Sequence, residues 1–152
     1  MKIYLAGPCS AAERPFMEEI ATELRNFGYT VYCPFELKIP NAWDYSQEDW
    51  SRMVFDKDVA AIDECDFMVM MSRGRESTAG TNWEQGYAYA KGKPIFVFQY
   101  TDATTSLMTY CGCNYFVGLP LAECAHCVGT FPYEAHIKRN ERGTNKCLTV
   151  LT

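Results

Sequence analysis

The chain has 152 residues, 48% of them hydrophobic, with 19 acidic against 14 basic side chains and a net charge of -5. That length supports one domain with a substantial core, and the apolar fraction excludes a disordered chain. The acidic balance excludes the broad basic field that nucleic acid or an anionic membrane would call for, so any nucleotide ligand must be held by local groups. Nothing resembles a signal peptide, and no apolar stretch nears the ~18 residues of a membrane span, so a cytoplasmic protein is expected.

Lys2 to Ala6 reads as a first strand, broken by Gly7-Pro8-Cys9-Ser10. Phe16, Ile20, Leu24 and Phe27 recur at helical spacing, which predicts an amphipathic helix from Ala11 to Asn26. Pro15 fits only its first turn, and Gly28 is its natural stop. Tyr29 to Cys33 is a second strand, ended by Pro34. A Pro-, Asn- and Trp-containing loop runs from Glu36 to Tyr45, of the length that often forms a lid. Ser46, with Asp49 three residues on, is an N-cap signal for a helix that runs to about Glu64. Its expected buried stripe is Trp50, Val54, Ala61 and Ile62, with Asp58 at the edge of that stripe.

Asp66 to Met71 is a third strand, and residues 72–79 form a loop carrying Arg73, Arg75, Ser77 and Thr78. A helix is predicted from Gly80 to Lys91, and Gly92-Lys93-Pro94 turns the chain into a fourth strand, Ile95 to Gln99. Thr104 to Tyr110 is a short helix or loop, Asn114 to Val117 a fifth strand, and Leu119 to Val128 a last helix. Residues 1–135 are expected to form the domain and residues 136–152 a polar tail or arm.

This alternation implies an α/β fold: a doubly wound, parallel, five-stranded sheet with right-handed crossovers and helices on both faces. A ligand crevice then lies at the carboxyl ends of strands one, three and four. Tyr4 to Ser10, residues 72–84 and the chain from Gln99 onward meet there. Glu84 falls in the first turn of the third helix on this reading, where the helix-end amides favour an ionised carboxylate. Asp58 is a carboxylate with apolar neighbours, which calls for a partner or a role.

Eight cysteines are present. Cys111, Cys113, Cys124 and Cys127, with His126, include C-x-x-C and C-x-C spacings, but C-x-C is not a common zinc-knuckle spacing and no metal is assigned. There is no G-x-G-x-x-G, no phosphate-binding G-x-x-x-x-G-K-[ST] and no G-x-S-x-G. Both histidines lie outside the crevice segments. What remains is two carboxylates with tyrosines and hydroxyls, a set suited to glycosidic-bond chemistry.

The chain resembles the nucleoside 2-deoxyribosyltransferase family. The matching residues are Ile3-Tyr4-Leu5-Ala6-Gly7-Pro8, then Asp58 with Ile62 and Cys65-Asp66, then Gly80-Thr81-x-x-Glu84-x-Gly86-Tyr87-Ala88, then Gly92-Lys93-Pro94. The resemblance implies a flavodoxin-like fold, no cofactor, and a homo-oligomer whose sites are completed across subunits. It implies Glu84 as the nucleophile forming a deoxyribosyl-enzyme, Asp58 as the acid that protonates the departing base, and Tyr4 as the residue that orients Glu84. Gly7, Pro8, Ser10, Thr78, Gly80 and Ser106 would bind substrate, and Trp43 and Met108 would line the base pocket. Ser106-Leu107-Met108 would enter a neighbouring subunit's site, although many relatives have asparagine where Ser106 stands.

One departure concerns substrate. Many relatives carry an aspartate six residues before the nucleophile, where this chain has Thr78, and a hydroxyl there resembles the relatives that hydrolyse deoxynucleoside 5′-monophosphates. Ser10, Arg14, Arg73 and Arg75 are candidate phosphate contacts. The expected partners are a small nucleoside or nucleotide and a free nucleobase. Three activities stand on the sequence: sugar transfer between bases, hydrolysis of a monophosphate, and non-catalytic nucleotide binding on the same fold.

Overall fold

In a computed structural model, residues 1–141 and 147–148 are described, the side chains of the last four excepted. The elements are β1 (Lys2–Ala6), α1 (Arg14–Asn26), β2 (Thr30–Tyr32), α2 (Gln47–Glu64), β3 (Phe67–Ser72), α3 (Ala79–Ala90), β4 (Ile95–Gln99), α4 (Leu107–Cys111), β5 (Tyr115–Gly118), α5 (Cys124–Thr130), α6 (Tyr133–Glu141) and β6 (Cys147–Leu148). The strands run parallel in the order β2-β1-β3-β4-β5, and β6 adds a short sixth strand beside β5. The chain winds outward in both directions from β1, so the switch point of the sheet lies between β1 and β3, where open α/β sheets bind ligands.

Alternation along the strands divides the core in two. Ile3, Leu5, Phe67, Val69, Phe96 and Phe98 face α1, α5 and α6, where Met17, Ile20, Leu24, Val128 and Tyr133 meet them. Tyr4, Ala6, Met68, Met70, Ile95 and Val97 face α2 and α3, through Ile62 and Ala88. Tyr4 therefore lies under the two helices that carry Asp58 and Glu84. β3 and β4 are buried along their whole length, as their unbroken apolar runs require of central parallel strands.

Several local predictions change on folding. α1 begins at Arg14, not Ala11, and residues 11–13 form a turn. Its buried stripe is Met17, Ile20, Ala21 and Leu24, a better i, i+3, i+4, i+7 set than the expected one. Phe16 instead packs at the edge against Tyr100, and Phe27, at the C-cap, is largely exposed. The Ser46 hydroxyl caps α2 by accepting from Asp49 N–H at 3.1 Å, as its spacing predicts. Of the expected α2 stripe only Ile62 is buried, because α2 leans on the sheet at its C-terminal end and its first turns stand away from the core.

The expected helix over Leu119 to Val128 resolves into a 3₁₀ turn at Leu121–Glu123 and then α5. The segment read as a tail from residue 136 begins inside α6, whose first residue, Tyr133, is wholly buried and donates to Val128 O at 2.8 Å. Residues 142–146 and 149–152 lie outside the described residues.

The loops at the carboxyl edge are tied together. Gly74 adopts a positive φ of 60°, and a β-carbon there would come within 2.8 Å of the Ala103 and Thr104 carbonyls, so glycine is required twice over. The Gln99 amide holds the same loop by donating to Thr101 O and Ala103 O at 3.1 and 2.7 Å. No helix among the described residues is long and apolar enough to cross a membrane.

Candidate active site

Two helices and the switch-point strands build the site. Thr78 is the N-cap of α3: its hydroxyl oxygen accepts from Thr81 N–H at 3.2 Å and shares a hydrogen bond with the Thr81 hydroxyl at 2.9 Å. The Thr81 hydroxyl also reaches Gly7 O at 3.2 Å, which docks the start of α3 on the β1–α1 turn. With the helix starting at Ala79, Glu84 lies in the second turn, not the first. Helix-end electrostatics fade within one turn, and burial takes over. Desolvation raises Glu84 from 4.5 to about 7; the Asp58 charge adds to the rise, while Tyr4 opposes it. Burial thus favours the protonated form of Glu84, against the helix-end effect expected from its place near the start of α3.

Glu84 and Asp58 share a cavity of about 380 Å³, lined also by Trp50, Val54, Phe55, Gly80 and Trp83. That volume suits a small ligand. Phe55 packs on Trp83 with ring centroids 5.2 Å apart, and Trp83 stacks on Tyr87 at 5.3 Å with rings nearly parallel. This aromatic wall was not anticipated from the sequence. The i, i+3, i+4 spacings of Phe55 with Asp58, and of Gly80 and Trp83 with Glu84 and Tyr87, could have revealed it.

Tyr32 was missed entirely. Its hydroxyl donates to Asp58 Oδ1 at 2.7 Å, and its ring stacks on Tyr4 at 5.5 Å. The register pairs Tyr4 with Tyr32 across β1 and β2, which sets the two rings side by side beneath the carboxylates. Burial raises Asp58 above its ordinary value, with the Tyr32 bond opposing. The Tyr4 hydroxyl is wholly buried and stops short of hydrogen-bond geometry with any group. It nonetheless lies against the Glu84 carboxyl: burial first, then the Glu84 and Asp58 charges, push it far above the usual tyrosine range. It remains a neutral donor, and its unmet bond is the kind of buried deficit that a functional site tolerates.

Among the other anticipated residues, Gly7 and Pro8 are buried beneath the crevice, and Gly80 lines the carboxylate cavity. Ser10 Oγ donates to Glu13 Oε2 at 2.9 Å, and Arg73 pairs with Glu13 at 3.2 Å, so neither points freely into the crevice. Trp43 stands 83% exposed and is not among the residues lining the cavity. Ser106 and Met108 line a separate hollow of about 400 Å³ on another side of α3, with Gln85 and Tyr89. Both carboxylates, Glu84 and Asp58, lie in the first cavity and neither in this one. Cys113 and Cys124 are buried, Cys111 is exposed, and no group of three His, Cys, Asp or Glu among the described residues is placed to hold a metal ion.

The proton on Glu84 has a consequence for stability. In the unfolded chain Glu84 ionises near 4.5, in the folded protein near 7. Between those values the folded state keeps a proton that the unfolded state has released, so this side chain lowers stability as pH rises through the window. Glu84→Gln should remove that penalty, which amounts to about 3 kcal/mol at most. Thermal denaturation should show a stabilisation that is small below pH 4.5 and grows towards pH 7; a difference independent of pH would contradict it.

A sequence profile described as nucleoside 2-deoxyribosyltransferase matches residues 3–144. Among solved structures, a 2-deoxyribosyltransferase from Bacillus psychrosaccharolyticus superposes with a TM-score of 0.76 at 26% identity, covering 90% of this chain and 96% of that one. A CMP N-glycosidase from Clostridium botulinum shares the fold at a TM-score of 0.61 and 21% identity, covering 86% and 100%. A conserved protein from Enterococcus faecalis V583 does so at 0.59 and 20%, covering 99% and 91%. No curated protein matches the sequence.

Proposed function

The chain belongs to the nucleoside 2-deoxyribosyltransferase family, and from that premise we propose that it moves a 2′-deoxyribosyl group from one nucleobase to another through a covalent intermediate on Glu84. The single observation that carries this reading is the pairing of Glu84 with Asp58 in one aromatic-walled cavity, each carboxylate attended by a tyrosine.

The step is a double displacement. A Glu84 carboxylate oxygen attacks the anomeric carbon, the bond from that carbon to the base nitrogen breaks, and its electron pair leaves with the base. Asp58 delivers a proton to the departing base, which leaves as the neutral molecule. A second base then attacks the same carbon and expels Glu84, returning its own proton to Asp58. Inverting the anomeric carbon twice retains configuration. Trp50, Phe55 and Trp83 supply flat apolar surface against which either base stacks. Tyr4 orients Glu84, and Tyr32 holds Asp58.

A second base must outcompete water, which calls for a closed pocket. Leu107 and Met108, both more than three-quarters exposed on α4, are apolar groups suited to closing the pocket of a neighbouring subunit. On this reading the enzyme is a homo-oligomer that completes its sites across the interface.

The test is an incubation of purified protein with 2′-deoxyinosine and free adenine, followed by chromatography. 2′-Deoxyadenosine is the expected new product. Hypoxanthine release without a new nucleoside would replace transfer by hydrolysis, and intact substrate would sink the catalytic reading.

A further inference from the structure

We infer that Tyr87 is a positioning residue for the proposed reaction: pinned at its hydroxyl by Asp63 of α2, its ring holds Trp83 in the orientation against which the nucleobase stacks. The inference rests on the glycosyl-transfer reading and deepens it, because it says what fixes the base end of that cavity.

The aromatic wall needs such a support. Trp83 is 47% exposed and Phe55 43%, and Phe55 lies on the part of α2 that stands away from the core. An indole so open to water keeps rotamer freedom that a bound base would have to freeze. Tyr87 lies one turn further along α3, at the i, i+4 spacing that sets side chains one above the other. Its ring covers one face of Trp83, with centroids 5.3 Å apart and an interplanar angle of 6°, while Phe55 packs on Trp83 at a 56° tilt. Trp83 and Phe55 line the cavity that holds Glu84 and Asp58, whereas Tyr87 does not, so its influence passes through Trp83.

The anchor of Tyr87 lies on the other helix. Its hydroxyl donates to Asp63, with Oδ1 and Oδ2 at 3.1 and 3.2 Å, across 24 residues of sequence. Asp63 is itself held. Lys91 Nζ pairs with Asp63 Oδ1 at 2.8 Å and lies 5.4 Å from the Tyr87 ring centroid. Lys93 Nζ donates to the Asp63 and Cys65 carbonyls at 2.7 Å each. The neighbouring Ile62 is wholly buried, which makes this the end of α2 that is fixed to the sheet. The Lys91 bond first, with the Tyr87 hydroxyl helping, holds the Asp63 carboxyl below its ordinary value against the cost of desolvation, so it accepts as a carboxylate at neutral pH. The ion pair is exposed and by itself adds little to stability. What it supplies is a fixed acceptor for the hydroxyl whose ring backs the wall.

The experiment is a double-mutant cycle between Trp83 and Tyr87, read by calorimetry of 2′-deoxyadenosine binding to full-length protein that carries Glu84→Gln and cannot turn over. Tyr87→Leu should weaken binding about three- to tenfold while Trp83 is present, the size of ordering one freed side chain, and by less than about twofold once Trp83→Leu has removed the indole. A residue that merely supports the helix would weaken both backgrounds alike, and that result overturns the inference. Tyr87→Phe, which keeps the ring and loses the anchor, should give a smaller loss, matched by Asp63→Ala. Asp63→Asn, whose amide oxygen still accepts from Tyr87, should keep the parent affinity. These milder substitutions serve if Tyr87→Leu fails to fold. Near-ultraviolet circular dichroism of the free protein reads the same contact without ligand. The band from the stacked Trp83 and Tyr87 rings should vanish in Tyr87→Leu and weaken in Asp63→Ala but not in Asp63→Asn. An unchanged band, an unchanged affinity, or no binding by the parent protein overturns the inference. Turnover by the unaltered chain is scored separately: its absence tells against the glycosyl-transfer reading, while the cycle still decides the role of Tyr87.

Discussion

Glu84→Gln protein should fold, bind a 2′-deoxynucleoside and lose turnover by about four orders of magnitude, the loss expected when a covalent nucleophile is removed and only binding and environment remain. The unaltered enzyme should have a bell-shaped pH dependence of kcat/KM, which reports the free enzyme. Its sign follows from the pair of carboxylates. Burial raises Glu84 to about 7 and raises Asp58 as well, so the two titrate as a coupled pair that passes through a state holding one proton between them. The reactive form has that proton on Asp58 and the charge on Glu84. Below the window a second proton binds and no nucleophile is left; above it the last proton departs and no acid is left. Activity should therefore fall as pH rises through about 7, and that limb belongs to the pair. Steady-state rates across pH, together with mass spectrometry of the quenched enzyme for a deoxyribosyl adduct absent from the variant, provide the check. Undiminished turnover in Glu84→Gln would remove it from the mechanism.

Asp58→Asn should cost about 10²- to 10⁴-fold, the usual contribution of a positioned general acid. An amide of the same shape still accepts from Tyr32 but cannot deliver a proton. The loss should be largest for donors whose base leaves poorly without protonation, and smallest for a nucleoside bearing an activated leaving group that departs as an anion. A loss equal for both donors would mean that Asp58 shapes the pocket and does not protonate the base. Tyr32→Phe acts on the same limb more gently. Its hydroxyl favours the charged form of Asp58 at 2.7 Å, so removing it should raise Asp58 and move the alkaline limb of the profile to higher pH.

The route from sequence to site was short where the physics is local. β1 and β4 are apolar runs bounded by Gly-Pro and Gly-Lys-Pro breaks, and both occur with the predicted ends. Ser46 and Asp49 are neighbours in sequence, so the cap that they make at 3.1 Å is legible without a fold. Alternating strands and helices imply the parallel sheet and its crevice, because right-handed crossovers leave few other arrangements. Glu84, Asp58 and Tyr4 could be nominated because they fall on the crevice segments and because their order resembles a known family.

Only the tertiary structure decided the state of those groups. Tyr32 meets Asp58 because the register of β1 with β2 sets it beside Tyr4, and register is a long-range property. Glu84 is raised towards 7 because the fold draws it largely out of water, whereas the sequence shows only a glutamate near a helix start. Ser10 and Arg73 resemble phosphate contacts along the chain, yet Arg73 lies 60 residues from Glu13 in sequence and pairs with it at 3.2 Å in space. Local spacing specifies which elements form; burial and packing across the sheet specify which of their side chains are charged, occupied or free.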